Sequence, residues 1–130
     1  MKTTSYEISK QLAESGFKAE TDFYWHNYDN GADLRHIADS DGAGKYKSYD
    51  LETILEALPK QHDFFSRGVG KYELLIWYHE KKMFIGYQNF DGFDKLLTLE
   101  QEKNESLADT AARLLILLYN KGLINFNEVK

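Results

Sequence analysis

Apolar positions along the chain change period several times, and each change marks an element. Ile8 and Leu12 stand one helical turn apart in a segment otherwise polar, which predicts a helix over about residues 5–15. Thr4 with Glu7 three positions on reads as a capping box, and Gly16 stands where a left-handed C-cap residue is wanted. The apolar stripe is thin, so this helix is expected at the periphery. The run Asp22 to Tyr28 (DFYWHNY) is aromatic, unbroken by Gly or Pro, and followed by Asp29-Asn30-Gly31, a strong hairpin signal. A strand is expected there, returning over Asp33 to Ala38. A polar stretch, Asp39 to Lys47, reads as the longest loop. Leu51, Ile54, Leu55 and Leu58 then fall at i, i+3, i+4 and i+7, predicting a helix over 50–58 capped by Ser48 or Asp50 and stopped by Pro59.

The strongest β signal follows a connector over 60–71. Tyr72 to His79 (YELLIWYH) and Met83 to Gln88 (MFIGYQ) flank a turn around Glu80-Lys81-Lys82. Leu74, Ile76 and Tyr78 point one way and Leu75, Trp77 and His79 the other, so both faces are apolar and both are expected to be covered. A short strand over 96–99 precedes a final helix over 107–121, with Asn104 or Ser106 as cap and Asp109 in the first turn, where the helix dipole favours negative charge. Leu107, Ala111, Leu114, Leu115 and Leu118, widened by Ile116 and Leu117, make this helix apolar nearly all round. It should be largely buried. Gly122 ends it, with Leu123 placed to fold back on Leu118. The order predicts a single α+β domain over 1–130: a mostly antiparallel sheet of four to five strands with three helices covering both faces, an α/β/α sandwich.

Composition narrows the chemistry more than the fold. Hydrophobic residues are 42% of the 130, enough for a core, and aromatics 15%. Cysteine is absent, which excludes a disulfide framework, a thiol nucleophile and thiolate zinc sites. The net charge of −5 argues against holding phosphate backbones by bulk electrostatics. No apolar run approaches a membrane span, and MKTTSYEISK lacks the apolar core of a signal peptide, so the cytoplasm is the expected location.

Two copies of a short phrase, Gly42-Ala43-Gly44-Lys45 and Gly68-Val69-Gly70-Lys71, suggest loops whose backbone amides cradle phosphate. Neither completes the phosphate-loop motif: the early glycine is Asp39 or Phe65, and the closing hydroxyl position is Tyr46 or Tyr72. Flexible entries into regular structure explain both. Asp39, Asp41, Gly44 and Asp50 approximate a calcium loop, but Ala43 occupies a ligand position and no helix precedes it. His26, His36, His62 and His79 show no metal-binding spacing. Asp91 and Asp94 sit in a Gly-containing turn, and no serine lies in a nucleophile elbow. No metal and no cofactor are expected.

The aromatic surplus is the remaining signal. Tyr24, His26 and Tyr28 share one face of their strand, and Phe90 and Phe93 share a loop. Core packing accounts for most aromatics, yet these five suit a protein-binding surface, where Tyr is enriched. A basic groove for stacking nucleic acid is missing.

The segment Tyr49-Asp50-Leu51-Glu52-Thr53-Ile54-Leu55-Glu56-Ala57-Leu58, then a hairpin with a Tyr-rich first strand, then Ser106-Leu107-Ala108-Asp109-Thr110-Ala111-Ala112-Arg113-Leu114-Leu115, resembles small phage and prophage proteins of the α/β/α phage sandwich type. The resemblance covers residues 49–124 and includes the Gly122-Leu123 corner. It implies origin on a mobile element and life in a bacterial cytoplasm, and it carries no catalytic residue. The expected function is therefore a non-enzymatic accessory protein working by protein–protein contact, anchored by Tyr24, His26, Tyr28, Phe90 and Phe93. Acidic residues at the rim would steer a basic protein partner. The alternative is a small-ligand or nucleotide-binding domain using Gly42, Gly44, Lys45, Gly68, Gly70 and Lys71.

Overall fold

The computed structural model describes residues 3–28, 31–36, 46–62, 72–89 and 95–124. The elements run α1 (Tyr6–Glu14), β1 (Phe23–Tyr28), β2 (Gly31–His36), β3 (Tyr46–Ser48), α2 (Leu51–Ala57), β4 (Gln61–His62), β5 (Tyr72–His79), β6 (Lys82–Gln88), β7 (Lys95–Glu100) and α3 (Leu107–Asn120). The fold class is the one expected: α+β, with antiparallel pairing throughout and three helices packing against the sheets. The described strands divide between two sheets, β2-β1-β3 and β4-β5-β6-β7, where the pattern of apolar positions predicts a single sheet of four to five strands. The extra strands are short. Tyr46–Ser48 pairs with Phe23–Trp25, and Gln61–His62 pairs with Tyr72–Glu73. Neither has enough length for a period-2 pattern to show in sequence.

Helix ends follow capping chemistry with one change. Ser5, not Thr4, caps α1, its Oγ accepting from the Ile8 N–H at 3.3 Å. Thr4 is fully buried and ties the N-terminal segment to β3: its N–H donates to the Tyr49 carbonyl (2.8 Å), and its Oγ1 accepts from the Tyr49 N–H (3.0 Å). The Thr4 carbonyl takes bonds from Ser48 Oγ (2.7 Å) and Trp25 Nε1 (3.0 Å). These bonds satisfy the polar atoms that the segment brings into the interior. Asp50 caps α2 and Ser106 caps α3. Both long helices end in a Schellman turn. Gly122 (φ 74°) lets the Leu123 N–H reach the Leu118 carbonyl at 2.9 Å, and Gly16 (φ 93°) lets the Phe17 N–H reach Leu12 at 3.0 Å. In each case the residue after glycine packs into the core.

That core is one cluster running from Ile8 and Leu12 through Tyr49, Ile54 and Leu58 to Ile85, Tyr87, Leu114, Leu115 and Leu118. Helix α3 is its hub, touching α1, α2, β6 and β7. Nine of its fourteen residues are buried, as its nearly all-round apolar sequence requires. Tyr87 is fully buried and donates its hydroxyl to the Pro59 carbonyl at 2.8 Å, joining β6 to the stop of α2. Burial pushes the Tyr87 hydroxyl well above the ordinary tyrosine range, and it pushes Tyr49 up to about 12.

Candidate functional site

The β5–β6 hairpin closes on a two-residue turn. Glu80 (φ 50°) and Lys81 (φ 67°) both adopt left-handed backbone, the type I′ geometry that matches strand twist. The register pairs Trp77 with Phe84, Tyr78 with Met83 and Ile76 with Ile85. Alternation therefore sends Ile85 and Tyr87 into the helical core and leaves Trp77 and Phe84 on the opposite face. There the two rings stack at 5.6 Å with planes 13° apart. With Tyr78, His79 and Thr98 they line an open cleft of about 460 Å³.

The floor of this face is shaped by β7. Between Ile85 and Tyr87 the register slips, so that Leu97 and Thr98 both stand against Gly86, and Leu97 is held at φ 54°. This is a β-bulge, which re-aims the bulged strand. It brings the Thr98 backbone so close that an added Cβ on Gly86 would lie 2.7 Å from Thr98 Cα. Lys82 and Glu100 pair at 3.3 Å beside the cleft, and His79 lies 3.7 Å from Glu80 at the turn.

Exposure concentrates on the outer part of the hairpin. The described large apolar residues most open to water are Leu34, Ile76 and Tyr78, with Tyr78 64% exposed. Two of the three lie on β5. The Trp77–Phe84 face escaped the sequence reading because strands apolar on both sides were expected to be covered on both sides. The missed signal is the YHEKK end of the run, where the apolar strand turns polar while still carrying a tyrosine.

A second groove, about 660 Å³, lies where the N-termini of α2 and α3 meet, lined by Asp50, Leu51, Glu52, Gln101, Glu105, Ser106, Leu107 and Ala108. Most of its polar side chains are committed to structure. Asp50 Oδ1 accepts from the Thr53 N–H (2.8 Å) and Ser106 Oγ from the Asp109 N–H (3.1 Å). Arg113 holds Glu105 through Nε (2.6 Å) and a second nitrogen (2.7 Å), and Thr110 Oγ1 donates to the same carboxylate (2.8 Å). Burial opposes ionisation of Glu105, but the bonds from Arg113, the Glu102 N–H and Thr110 outweigh it and hold the carboxyl below its usual range. Asp109 goes the other way. Its burial raises the carboxyl above the ordinary aspartate range despite the bond from the Ser5 N–H at 2.7 Å. The arrangement clamps the N-terminal segment and the 101–105 turn to α3. Among the described residues no group of three His, Asp or Glu side chains is placed to hold a metal ion.

The residues expected from sequence to form a site are distributed as follows. Tyr24 is half-buried on β1, in register with Arg35 and Lys47. His26 and Tyr28 stand on the same strand opposite Asp33 and Gly31, with only their backbone described. Phe90, Phe93, Gly42, Gly44, Lys45, Gly68, Gly70 and Lys71 lie outside the described residues. No helix among the described residues is long and apolar enough to cross a membrane. Comparison with protein-family models, with curated proteins and with solved structures finds no match to this chain.

Proposed function

We propose that this chain is a non-enzymatic interaction module whose binding surface is the outer face of the β5–β6–β7 hairpin region. The observation that carries the reading is the stacked Trp77–Phe84 pair over an open cleft of about 460 Å³ on the face turned away from the helical core. Aromatic residues clustered at a water-facing cleft are the usual anchors of protein contacts, and a charged rim excludes water around them. Lys82, Glu80 and Glu100 supply that rim. The Glu105–Arg113 groove is spent on holding the fold and offers no comparable anchor. Origin on a mobile element and a cytoplasmic setting belong to the same proposal and rest on the sequence resemblance.

The test is capture of partners from bacterial lysate by the tagged chain, at low salt and at about 0.5 M salt, against Thr98→Lys. Thr98 is exposed, lines the cleft and lies on β7, so a lysine there blocks the cleft while sparing the core. A specific partner lost in Thr98→Lys supports the reading. Equal capture by both proteins, or capture of nothing at either salt, sinks it.

A further inference from the structure

Among the described residues, the outer edge of β5 is paired for only part of its length. β4 covers Tyr72 and Glu73, and the Leu74 N–H donates to the Lys60 carbonyl at 2.9 Å. Pro59 follows in that direction, and the chain there enters α2. With a two-residue turn closing the hairpin, His79 and Lys82 form its terminal hydrogen-bonded pair, so odd-numbered residues of β5 address β6. The even-numbered ones address the outer edge, as the Leu74–Lys60 bond shows. Among the described residues, the outward N–H and C=O groups of Ile76 and Tyr78 have no strand beside them. These are also the two exposed apolar residues of β5, at 37% and 64%. β5 carries no Lys, Pro or Gly to discourage pairing.

We propose that this edge pairs with the same edge of a second copy, antiparallel about a two-fold axis at Trp77. The inference rests on the interaction reading above and assigns the sheet edge beside the cleft to a second copy of the chain. In this register Ile76 of each copy exchanges both backbone bonds with Tyr78 of the other, so all four outward groups on each copy are satisfied and the Lys60 bond is left intact. Ile76 lies across from Tyr78 twice, a β-branched and aromatic pairing that stabilises sheets. Leu75 faces His79, and no like charges meet. The turn residue Glu80 of one copy falls opposite Leu74 of the other, beside Lys60, so opposite charges close each end. Moving the axis to Ile76 would bring Tyr78 against Leu74, whose N–H is already taken. The chemistry selects the register at Trp77.

The absence of cysteine makes the test clean. In this register residue 77 meets its own copy as a non-hydrogen-bonded pair, with Cα atoms about 4.5 Å apart, within disulfide reach. Sedimentation velocity of the full chain is expected to show a dimer by about 100 μM, and Tyr78→Lys, at an exposed position, is expected to weaken it at least tenfold. Trp77→Cys under mild oxidation is expected to give a disulfide-linked dimer. Because Trp77 packs on Phe84, a second route avoids its loss: mixed Ile76→Cys and Tyr78→Cys proteins are expected to cross-link to each other more than either does to itself. A monomer throughout, a dimer indifferent to Tyr78→Lys, or cross-linking without this preference overturns the proposal. A monomer that still captures a partner lost in Thr98→Lys overturns self-pairing and leaves the interaction reading standing.

Discussion

Gly86→Ala isolates the bulge that shapes the outer face. Gly86 has ordinary backbone, so the substitution meets no conformational penalty, only a shortage of space. The new Cβ would stand 2.7 Å from Thr98 Cα, 2.9 Å from Thr98 Oγ1 and 3.1 Å from the Leu97 carbonyl oxygen. The first of these is about 0.8 Å inside the closest comfortable carbon–carbon separation of ~3.5 Å. Because that obstacle is main chain, relief requires β7 to move away from β6, lengthening ladder bonds on either side of the bulge. Overpacking of this kind costs about 1–3 kcal/mol, offset by about 0.4–1 kcal/mol from the stiffer unfolded chain. A net loss of about 1–2 kcal/mol is expected, or a fall in Tm of roughly 3–8 °C for a chain of this size. Urea unfolding followed by circular dichroism measures it. Thr98→Ala relieves the clash with Oγ1 but leaves the one with the Thr98 main chain, so the double variant should recover only part of the loss. Gly86→Ala as stable as the parent, or full recovery with Thr98→Ala, would refute the argument.

The other expectations concern groups whose surroundings set their charge. Tyr49 is held up to about 12, above its unfolded value near 10, so the stability it contributes is complete below pH 10 and lost as pH rises from there to about 12. Tyr49→Phe should flatten that alkaline limb in pH-dependent melts. Glu105 is held below its usual range, so its contribution is complete above about pH 4.5 and is lost as pH falls through its lower folded value. Glu105→Gln should cost about 1.5–3 kcal/mol at pH 7, since the amide keeps one acceptor oxygen for Arg113 but loses the second and the charge. Asp109 has the opposite sign: its raised pKa makes ionisation costly in the folded state, and stability falls as pH rises through it. Asp109→Asn keeps an acceptor for the Ser5 N–H, and thermal melts should show a smaller loss between acid and neutral pH than in the parent. Tyr87→Phe should cost about 1–3 kcal/mol in chemical denaturation, by leaving the half-buried Pro59 carbonyl without its donor.

Much of this architecture is legible in local pattern. The i, i+3, i+4 spacing of Leu51, Ile54, Leu55 and Leu58 places α2, the Pro59 stop ends it, and Ser106 with Gly122-Leu123 brackets α3, because capping and periodicity are short-range chemistry. The Tyr72–His79 strand agrees end to end for the same reason. What the chain alone cannot express is which strand lies beside which. The three-residue β3 and two-residue β4 exist only because β1 and β5 offer edges to them, and Ser5 replaces Thr4 as cap only because β3 and Trp25 claim Thr4. The candidate surface depends on the same partition. Leu75, Trp77 and Phe84 are apolar in any register, and the alternation alone places them in a hairpin with two apolar faces. It takes the packed fold to turn the Ile85 and Tyr87 face toward α3 and to begin β4 only at Gln61, opposite Glu73, with Pro59 and α2 before it. Both follow from non-local burial and backbone pairing, and among the described residues they leave Ile76 and Tyr78 with no strand on their outer side.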